Sequence, residues 1–186
     1  DRIMEVSVVI PVFNAAKYLA VSVNSALEQP ETAEVIIVDD GSTDESLEVA
    51  QQFAKRDKRV KVLTHPGGIN LGSAATRNRA IESATSDLIA FIDADDVFLP
   101  SRFSTTKKIF ADYPDADGVY EAVQNQFTEK AKSHSKTVVF DTLPKIHMLR
   151  KKVVPEKLLE TLVEDPIGII MLQGLCVKRN LFDKTG

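Results

Sequence analysis

Hydrophobic and polar positions follow two alternating patterns over the first half of the chain. Three short runs are nearly continuously apolar and rich in valine and isoleucine, which is typical of strands buried on both faces. They cover Val6–Val12, residues 34–40 and residues 87–93, and a further strand is predicted from Val60 or Lys61 to Thr64. Between them, apolar residues recur at helical spacing, as at Leu19, Val23 and Leu27. Strands that alternate with helices predict right-handed crossovers and a Rossmann-like α/β fold, with a mainly parallel central sheet and helices on both faces.

Local signals place the starts of the helices. Asn14 is the predicted N-cap of the first helix, because short polar side chains accept hydrogen bonds from the first helical amides. Ser42 and Glu45 form a capping-box pattern before the second helix. The third helix is predicted near residues 73–84. Pro100 is predicted in the first turn of a fourth helix that runs to residue 113.

The second half of the chain is less regular. Strands are predicted at residues 117–123 and within residues 168–180, with a short one at residues 137–140. Residues 125–136 are polar and predict a loop, and residues 155–164 predict a helix. The chain contains no internal repeat and no linker, so a single domain over residues 1–186 is expected.

The composition narrows the class of protein. The chain has 186 residues and a net charge of -4, with 44% hydrophobic and 27% charged residues, which is typical of a soluble globular protein and excludes a broad basic face for nucleic acid. No apolar run approaches the ~20 residues that span a bilayer. The N-terminus lacks a signal-peptide pattern, so a cytoplasmic setting is expected. Cys176 lies in an apolar run and is predicted to be a buried hydrophobic residue.

Polar side chains gather where three of the predicted strands end. They occupy residues 11–14, 39–42 and 93–96. In an open parallel sheet, ligands bind in the crevice beyond the carboxyl ends of the strands. The sequence therefore predicts a ligand site at that edge of the sheet.

The residues after the fourth strand predict a divalent cation. Asp93 and Asp95 are two positions apart, so in an extended backbone they would point to the same side, and Asp96 would point away. Oxygen ligands of this kind suit Mg²⁺ or Mn²⁺, which commonly bridge a protein carboxylate and the phosphates of a substrate. The alternative is an acidic loop that caps the next helix or is solvated. Because the acidic segment follows a buried strand, the cation site is favoured over this alternative.

Two further groups of residues predict contacts with the rest of a ligand. Asp39 and Asp40 provide two consecutive carboxylates, which is more than an Asp-Gly turn needs. One of them is therefore expected to accept hydrogen bonds from a base or a ribose. Arg77 follows a glycine-rich loop that contains Asn70 and Gly72, and is predicted to pair with a diphosphate, although it suits a solvated helix face as well. His65 opens this loop and could touch a phosphate, but a loop residue without a role is favoured. The loop lacks the spacing of a dinucleotide fingerprint or a P-loop.

Four motifs together resemble family 2 glycosyltransferases. They are VSVVIPVFN, VIIVDDGSTDES, NLGSAATRNRAI and LIAFIDADDVFLPSRF, and they occur in the order and approximate spacing of that family. The resemblance implies the GT-A fold of the nucleotide-diphospho-sugar transferases. It also implies a nucleotide-sugar donor, usually a UDP-sugar, and transfer with inversion at the anomeric carbon. Residues 1–100 would then form the nucleotide-sugar-binding half of the domain and residues 101–186 the acceptor-side half.

The resemblance assigns roles to particular residues. Pro11, Val12, Phe13 and Asn14 would line the base pocket, and Asp39 or Asp40, beside Gly41, would contact the uracil. Arg77, with Asn70 and Gly72 before it, would lie near the base or the diphosphate. Asp93-Ala94-Asp95 matches the family's DxD motif, with Asp95 as the metal ligand and Asp93 assisting through the ribose or the metal. The cofactor would be Mn²⁺ or Mg²⁺.

The acceptor side of the resemblance is looser. The segment CVKRNLFDKTG resembles the one that precedes the Glu-Asp pair holding the catalytic base in this family, so that base is expected beyond Gly186 and its identity is unknown. Glu164-Asp165 comes before this segment and is interpreted as a helix-end pair. The chain is therefore expected to be a truncated catalytic domain that binds donor and metal but transfers sugar poorly. The acceptor would be a glycan, a lipid-linked glycan or another hydroxyl compound, and peripheral membrane association through residues beyond Gly186 stays open.

Three other functions are alternatives to this one. A receiver domain also gathers acidic residues and Mg²⁺ at strand ends, but it has no place for the DxD motif or the segment from Asn70 to Arg77. A nucleotidyltransferase carries a glycine-rich basic loop after its first strand, which PVFNAAKYL lacks. The alternative that stays open is a non-catalytic module that binds a sugar nucleotide.

Overall fold

A computed structural model describes residues 4–121, 123–124, 146–147 and 172–185. In this part of the chain, six strands form the main sheet: β1 Val6–Val12, β2 Thr32–Asp39, β3 Val60–Thr64, β4 Leu88–Phe91, β5 Gly118–Tyr120 and β8 Leu175–Lys178. Their order across the sheet is β3-β2-β1-β4-β8-β5. Strands β1 to β4 are parallel, and β8 lies antiparallel to both β4 and β5. The prediction of a mainly parallel sheet is confirmed. Two short strands, β6 Val123–Gln124 and β7 Ile146–His147, pair separately.

Helices cover both faces of the main sheet, as predicted. The helices are α1 Ala16–Leu27, α2 Ser46–Arg56, α3 Ser73–Ser83, α4 Ser104–Asp112 and α5 Phe182–Thr185. Residues of α1 and α2 pack with one set of buried strand side chains, whereas residues of α3 and α5 pack with the opposite set. No described helix is both long and apolar enough to cross a membrane.

Alternation along the strands explains why both faces are apolar. In β1, Val8 and Ile10 lie in one core and Val9 lies in the other, because successive side chains of a strand point to opposite faces. All three are fully buried. Burying a side chain of this size stabilises a fold by roughly 1.5–3 kcal/mol. Cys176 of β8 is also fully buried, as predicted.

The predicted caps of α1 and α2 are wrong. Asn14 does not cap α1, which begins at Ala16 with no side-chain cap at Ala15. The amides of Ala15 and Ala16 instead donate to Ser46 Oγ and Asp44 Oδ2, at 2.8 and 3.1 Å. The Ser42-Glu45 capping box is also absent, because α2 begins only at Ser46. The amides at the start of α1 are therefore satisfied by Asp44 of the loop after β2 and by Ser46 at the start of α2, contacts distant in sequence that no local pattern reveals.

Asn14 and Ser42 have other partners than the sequence predicted. The Asn14 amide donates to Ser42 Oγ at 3.0 Å, and Asn14 Oδ1 accepts the Thr43 amide at 2.8 Å. Asn14 holds a positive φ of 50°, a conformation that Asn tolerates better than most residues. The loops after β1 and β2 are thus fastened to each other.

The segment after β4 differs from the prediction of an extended strand followed by a helix at Pro100. Strand β4 ends at Phe91, and the Asp96 amide donates to the Asp93 carbonyl at 3.0 Å, which closes a turn. Gln29 then accepts the Arg102 amide at 3.0 Å and donates to the Leu99 carbonyl at 3.2 Å. These contacts hold residues 99–102 in a turn, so α4 begins only at Ser104.

The other predicted elements agree with the structure to different degrees. The predicted strand at residues 117–123 is divided between β5 and β6, and the one within residues 168–180 is found as β8. The predicted loop at 125–136, the strand at 137–140, the helix at 155–164 and the pair Glu164-Asp165 lie outside the described residues.

Candidate functional site

A cavity of about 450 Å³ opens where β1 and β4 end, beside the loop after β2. The first turns of α1 and α3 complete its wall. The lining residues are Pro11, Val12, Phe13, Asn14, Ala15, Tyr18, Asp40, Ser73, Thr76, Arg77, Asp93, Ala94 and Asp95. The cavity thus occupies the edge of the sheet at which parallel α/β folds bind their ligands.

Asp93 lies on the cavity wall with both carboxylate oxygens engaged. Arg77 Nη2 donates to Oδ1 at 2.6 Å, and Gln173 Nε2 donates to Oδ2 at 2.6 Å. The side chains of Arg77 and Asp93 are 17% and 33% exposed, so the ion pair is partly shielded from water. Asp95 is exposed, and its carboxylate has no hydrogen bond or ion pair within the described residues. Asp95 is therefore the carboxylate available to a ligand.

Helix α1 fixes the backbone that carries these carboxylates. Ser22 Oγ donates to the Asp93 carbonyl at 3.0 Å, and Ser25 Oγ accepts the Phe98 amide at 3.0 Å. Both serines are buried, and Phe98 packs edge-on against Phe103 at 5.6 Å between ring centroids. The turn after β4 is consequently tied to α1 on both sides of the acidic residues.

Asp40 holds the glycine-rich loop in place. Its carboxylate accepts the amides of Leu71 and Gly72 at 2.7 and 3.0 Å. His65 Nε2 lies 3.4 Å from Asp40 Oδ1 and 3.1 Å from Thr76 Oγ1. His65 is buried and joins the loop after β2 to α3, a structural contact that the sequence did not predict.

The first turn of α3 presents a surface suited to an anion. Ser73, Thr76 and Arg77 lie at positions i, i+3 and i+4, so they share one face of the helix, and all three line the cavity. The N-terminus of a helix carries a partial positive charge and unpaired amides, which favour phosphate groups. Arg77 adds a positive charge beside this helix end, and its Nη2 is held by Asp93 Oδ1 at 2.6 Å.

Two aromatic rings also line the cavity. Phe13 and Tyr18 are 52% and 49% exposed, although both are large hydrophobic residues. Exposed aromatic rings at a cavity mouth favour flat ligands, because every nucleobase has a face that stacks on such rings.

The acidic turn is electrostatically crowded. Burial raises the pKa of Asp96, and the neighbouring charges of Asp93 and Asp95 raise it further, whereas a hydrogen bond from Gln173 opposes the rise. A site that crowds carboxylates in this way favours positively charged ligands.

One protein family matches most of the chain. The family described as "Glycosyl transferase family 2" matches residues 7–175. The chain belongs to glycosyl transferase family 2. The resemblance found in the four sequence motifs is thereby confirmed.

Relatives and solved structures agree with this family membership. The succinoglycan biosynthesis protein ExoU of Rhizobium meliloti is 45% identical over 98 residues, which cover 53% of this chain and 28% of ExoU. S. aureus TarS 1-349 in complex with UDP-GlcNAc has a TM-score of 0.64 at 21% identity, covering 98% of this chain and 47% of TarS. The mannosyltransferase PcManGT from Pyrobaculum calidifontis, in complex with GDP-Man and Mn²⁺, also has a TM-score of 0.64 at 21% identity and covers 98% of this chain and 46% of PcManGT.

These likenesses establish the fold, and they cover only part of the length of the related proteins. At about a fifth identity, TarS and PcManGT show that this family 2 chain has the GT-A fold, as predicted. The matches span about a third of the length of the first curated relatives and about half of the two solved structures.

The structure brings most of the predicted site residues of this family 2 domain to one cavity. Pro11, Val12, Phe13, Asn14, Asp40, Arg77, Asp93, Ala94 and Asp95 all line it. Asp93 and Asp95 meet there although the extended backbone that predicted their common direction is replaced by a turn.

Four predicted residues do not line the cavity: Asp39, Gly41, Asn70 and Gly72. Asp39 is buried, and its Oδ2 accepts the Ser42 amide at 3.1 Å while Oδ1 has no partner in the described part of the chain. Gly41 packs against the backbone of residues 68–70, and Gly72 precedes α3. These residues shape the wall from behind.

Ala15, Tyr18, Ser73 and Thr76 line the cavity although the sequence did not single them out. A signal was available for two of them. Ser73 and Thr76 stand one helical turn and one residue before Arg77, so a helix that directs Arg77 to the ligand also directs them there. Tyr18 carries no such signal, since its position depends on how α1 packs.

Proposed function

We propose that this chain binds a nucleotide-diphosphate sugar, of the UDP-sugar class, in the cavity, and that the protein transfers the sugar to a hydroxyl group of a glycan or lipid-linked acceptor with inversion. One observation carries the proposal. Arg77, the first turn of α3 and the carboxylates of Asp93 and Asp95 meet in one cavity at the carboxyl edge of the sheet. Family 2 membership supports it, as do the UDP-GlcNAc and GDP-Man complexes of TarS and PcManGT.

Different residues of the cavity bind different parts of the donor. The rings of Phe13 and Tyr18 flank the base, and the diphosphate lies against Arg77 and the first turn of α3. Asp40 contributes through the loop that it holds, since both of its oxygens accept backbone amides. Asp39 is buried and does not line the cavity, so we assign it no contact with the donor.

A divalent cation fits the donor set at this site. Within the described residues, no group of three His, Cys, Asp or Glu side chains is arranged to hold a metal alone. Mg²⁺ and Mn²⁺, however, commonly use only one or two protein carboxylates and complete their shell with phosphate oxygens and water. Asp95 would hold the ion directly, with Asp93 beside it. When bound, such an ion stabilises the negative charge that grows on the departing nucleoside diphosphate.

Calorimetry with UDP and with GDP, each with and without Mn²⁺, tests the donor part of the proposal. We expect UDP to bind, and Mn²⁺ to tighten that binding about tenfold or more, because the ion removes repulsion between the diphosphate and the carboxylates. A protein that binds neither UDP nor GDP under any of these conditions contradicts the proposal.

A second assay separates transfer from binding alone. Hydrolysis or transfer of UDP-sugars is followed with a panel of hydroxyl acceptors. Turnover of a UDP-sugar supports the transferase. Nucleotide binding with no turnover on any acceptor by the full-length protein would instead favour a non-catalytic module that binds sugar nucleotides.

A further inference from the structure

A turn distant in sequence reaches the back of the acidic motif. The 3₁₀ turn Leu172–Gly174 precedes β8 and places Gln173 beside Asp93, with 2.6 Å between Gln173 Nε2 and Asp93 Oδ2. The same side chain hydrogen-bonds to Asp96. Gln173 does not line the cavity, so it contacts the acidic motif from behind.

The turn that carries Gln173 is fixed independently of the cavity. Arg102 Nη2 donates to the Gly174 carbonyl at 3.0 Å, and the Glu121 amide donates to the same carbonyl at 2.8 Å. Arg102 Nη1 also lies 2.9 Å from Glu121 Oε1. A Cβ atom at Gly174 would come within 2.4 Å of the Glu121 carbonyl oxygen, so only glycine fits there. Gln173 is therefore presented to Asp93 from a rigid support.

The two oxygens of Asp93 have different partners on opposite sides. Arg77 takes Oδ1 and Gln173 takes Oδ2, each at 2.6 Å. A carboxylate held at both oxygens cannot rotate about its terminal torsion, and a guanidinium docked on it is held as well. Without Gln173, Asp93 would be free to turn, and Arg77 would lose its fixed anchor.

We propose that Gln173 is a positioning residue for nucleoside diphosphate binding, which holds Asp93 in the orientation that aims Arg77 at the diphosphate. This inference rests on the proposed function, since it assumes that the cavity takes a nucleoside diphosphate. It differs from a merely structural role in one respect. The effect of Gln173 on binding is confined to the diphosphate end of the ligand. Among the described residues, Gln173 has no hydrogen bond to a residue on the base side of the cavity.

Gln173→Met tests the inference, because methionine keeps the length of the side chain and removes its N–H donors. Binding of UDP in saturating Mn²⁺ is measured by calorimetry, and binding of uridine by ligand-observed NMR. We expect the variant to bind UDP about tenfold more weakly, which is the effect of losing a hydrogen bond to a charged group, and to bind uridine like the wild type. Leu172→Ala, an exposed neighbour in the same turn, is the control and should change neither.

The outcomes separate this inference from the proposed function. If UDP and uridine weaken together, or if Gln173→Met binds UDP like the wild type, Gln173 does not position Arg77 and the inference is wrong, while the proposed function stands. If the wild type itself binds neither UDP nor GDP, the proposed function fails and the inference fails with it. Should Gln173→Met not fold, Gln173→Leu is measured in its place, with the same expected difference between UDP and uridine.

Discussion

Arg77 and Asp93 form an ion pair across the cavity wall, with 2.6 Å between Nη2 and Oδ1. The pair joins the first turns of α3 to the end of β4, which lie in separate βα units. Because the Arg77 side chain is only 17% exposed, the interaction is shielded more than a surface ion pair. The pair holds the Arg77 guanidinium next to the carboxylate that a metal ion bound to the ligand would approach.

Arg77→Lys should weaken UDP binding about tenfold while leaving the fold intact. Lysine keeps the positive charge but lacks the planar fork that pairs with Asp93 and a diphosphate at the same time. Calorimetry measures the affinity, and the melting temperature reports on the fold. Arg56→Lys, at the exposed end of α2, is the matched control. Unchanged UDP affinity in Arg77→Lys would show that Arg77 does not contact the ligand.

Asp95→Ala should abolish the metal-dependent part of nucleotide binding. Asp95 is the exposed carboxylate of the cavity, whereas Asp93 is already held at both oxygens. The melting temperature is measured with UDP, in the presence and absence of Mn²⁺. The increment caused by Mn²⁺ should disappear, and the shift caused by UDP alone should remain. Asp112→Ala, at the exposed end of α4, should behave like the wild type; the same behaviour in Asp95→Ala would refute its role as the metal ligand.

Gly41→Ala should destabilise the protein more than Gly68→Ala. Both residues have a positive φ, of 73° and 63°, and that conformation alone costs a non-glycine residue about 1–2 kcal/mol. A Cβ at Gly41 would in addition lie 2.8 Å from the Gly68 carbonyl oxygen, whereas a Cβ at Gly68 would meet nothing within 4 Å.

The excess cost at Gly41 should therefore be about 1–3 kcal/mol, as for other overpacked sites. Urea denaturation of both variants measures it. Because the clash pushes on the loop that precedes α3, UDP affinity should also fall in Gly41→Ala and not in Gly68→Ala. Equal stabilities of the two variants would show that the loop moves aside freely.

Glu34 lies at the end of the sheet opposite the cavity, and we expect it to make the stability of the protein depend on pH. Its carboxylate is 4% exposed and accepts hydrogen bonds from Ser7 and Thr85 beside the Lys61 ammonium. Burial alone would raise the pKa of Glu34, but the hydrogen bonds of Lys61, Ser7 and Thr85 outweigh it and lower the pKa from 4.5 to about 2. A lowered pKa stabilises the folded state above pH 4.5, and this contribution is lost as the pH falls towards 2.

Glu34→Gln should consequently lower the free energy of unfolding at pH 7 by about 3 kcal/mol, the equivalent of that pKa difference. The deficit relative to the wild type should shrink as the pH falls below 4.5. Urea denaturation at pH 7 and at pH 3 measures both effects. Glu82→Gln, on the exposed face of α3, is the control. A deficit that is the same at both pH values would show that the charge of Glu34 is not what stabilises the fold.

Prediction from sequence succeeded where a local pattern determines the structure. The predicted run of β1 matches the strand residue for residue, because a β-branched apolar run has few other stable states, and β3 begins at Val60, the earlier of its two predicted starts. The motif of Asp93, Ala94 and Asp95 was also found, since its place after a buried strand assigns it to the sheet edge. It failed at the caps of both helices: the amides at the start of α1 take partners some 30 residues away, whereas α2 begins later than the capping-box pattern predicted.

The sequence by itself determined the α/β class, the family and the edge of the sheet at which the ligand site lies. Periodicity and single motifs depend on residues that are neighbours in the chain, and the order of the motifs is read along the chain without any knowledge of how it folds. The tertiary structure alone decided which acid is available and which is held. Arg77 and Gln173 reach Asp93 from 16 and 80 residues away, and they leave Asp95 exposed. Contacts of that kind arise only when packing brings distant segments together, so no pattern along the chain contains them.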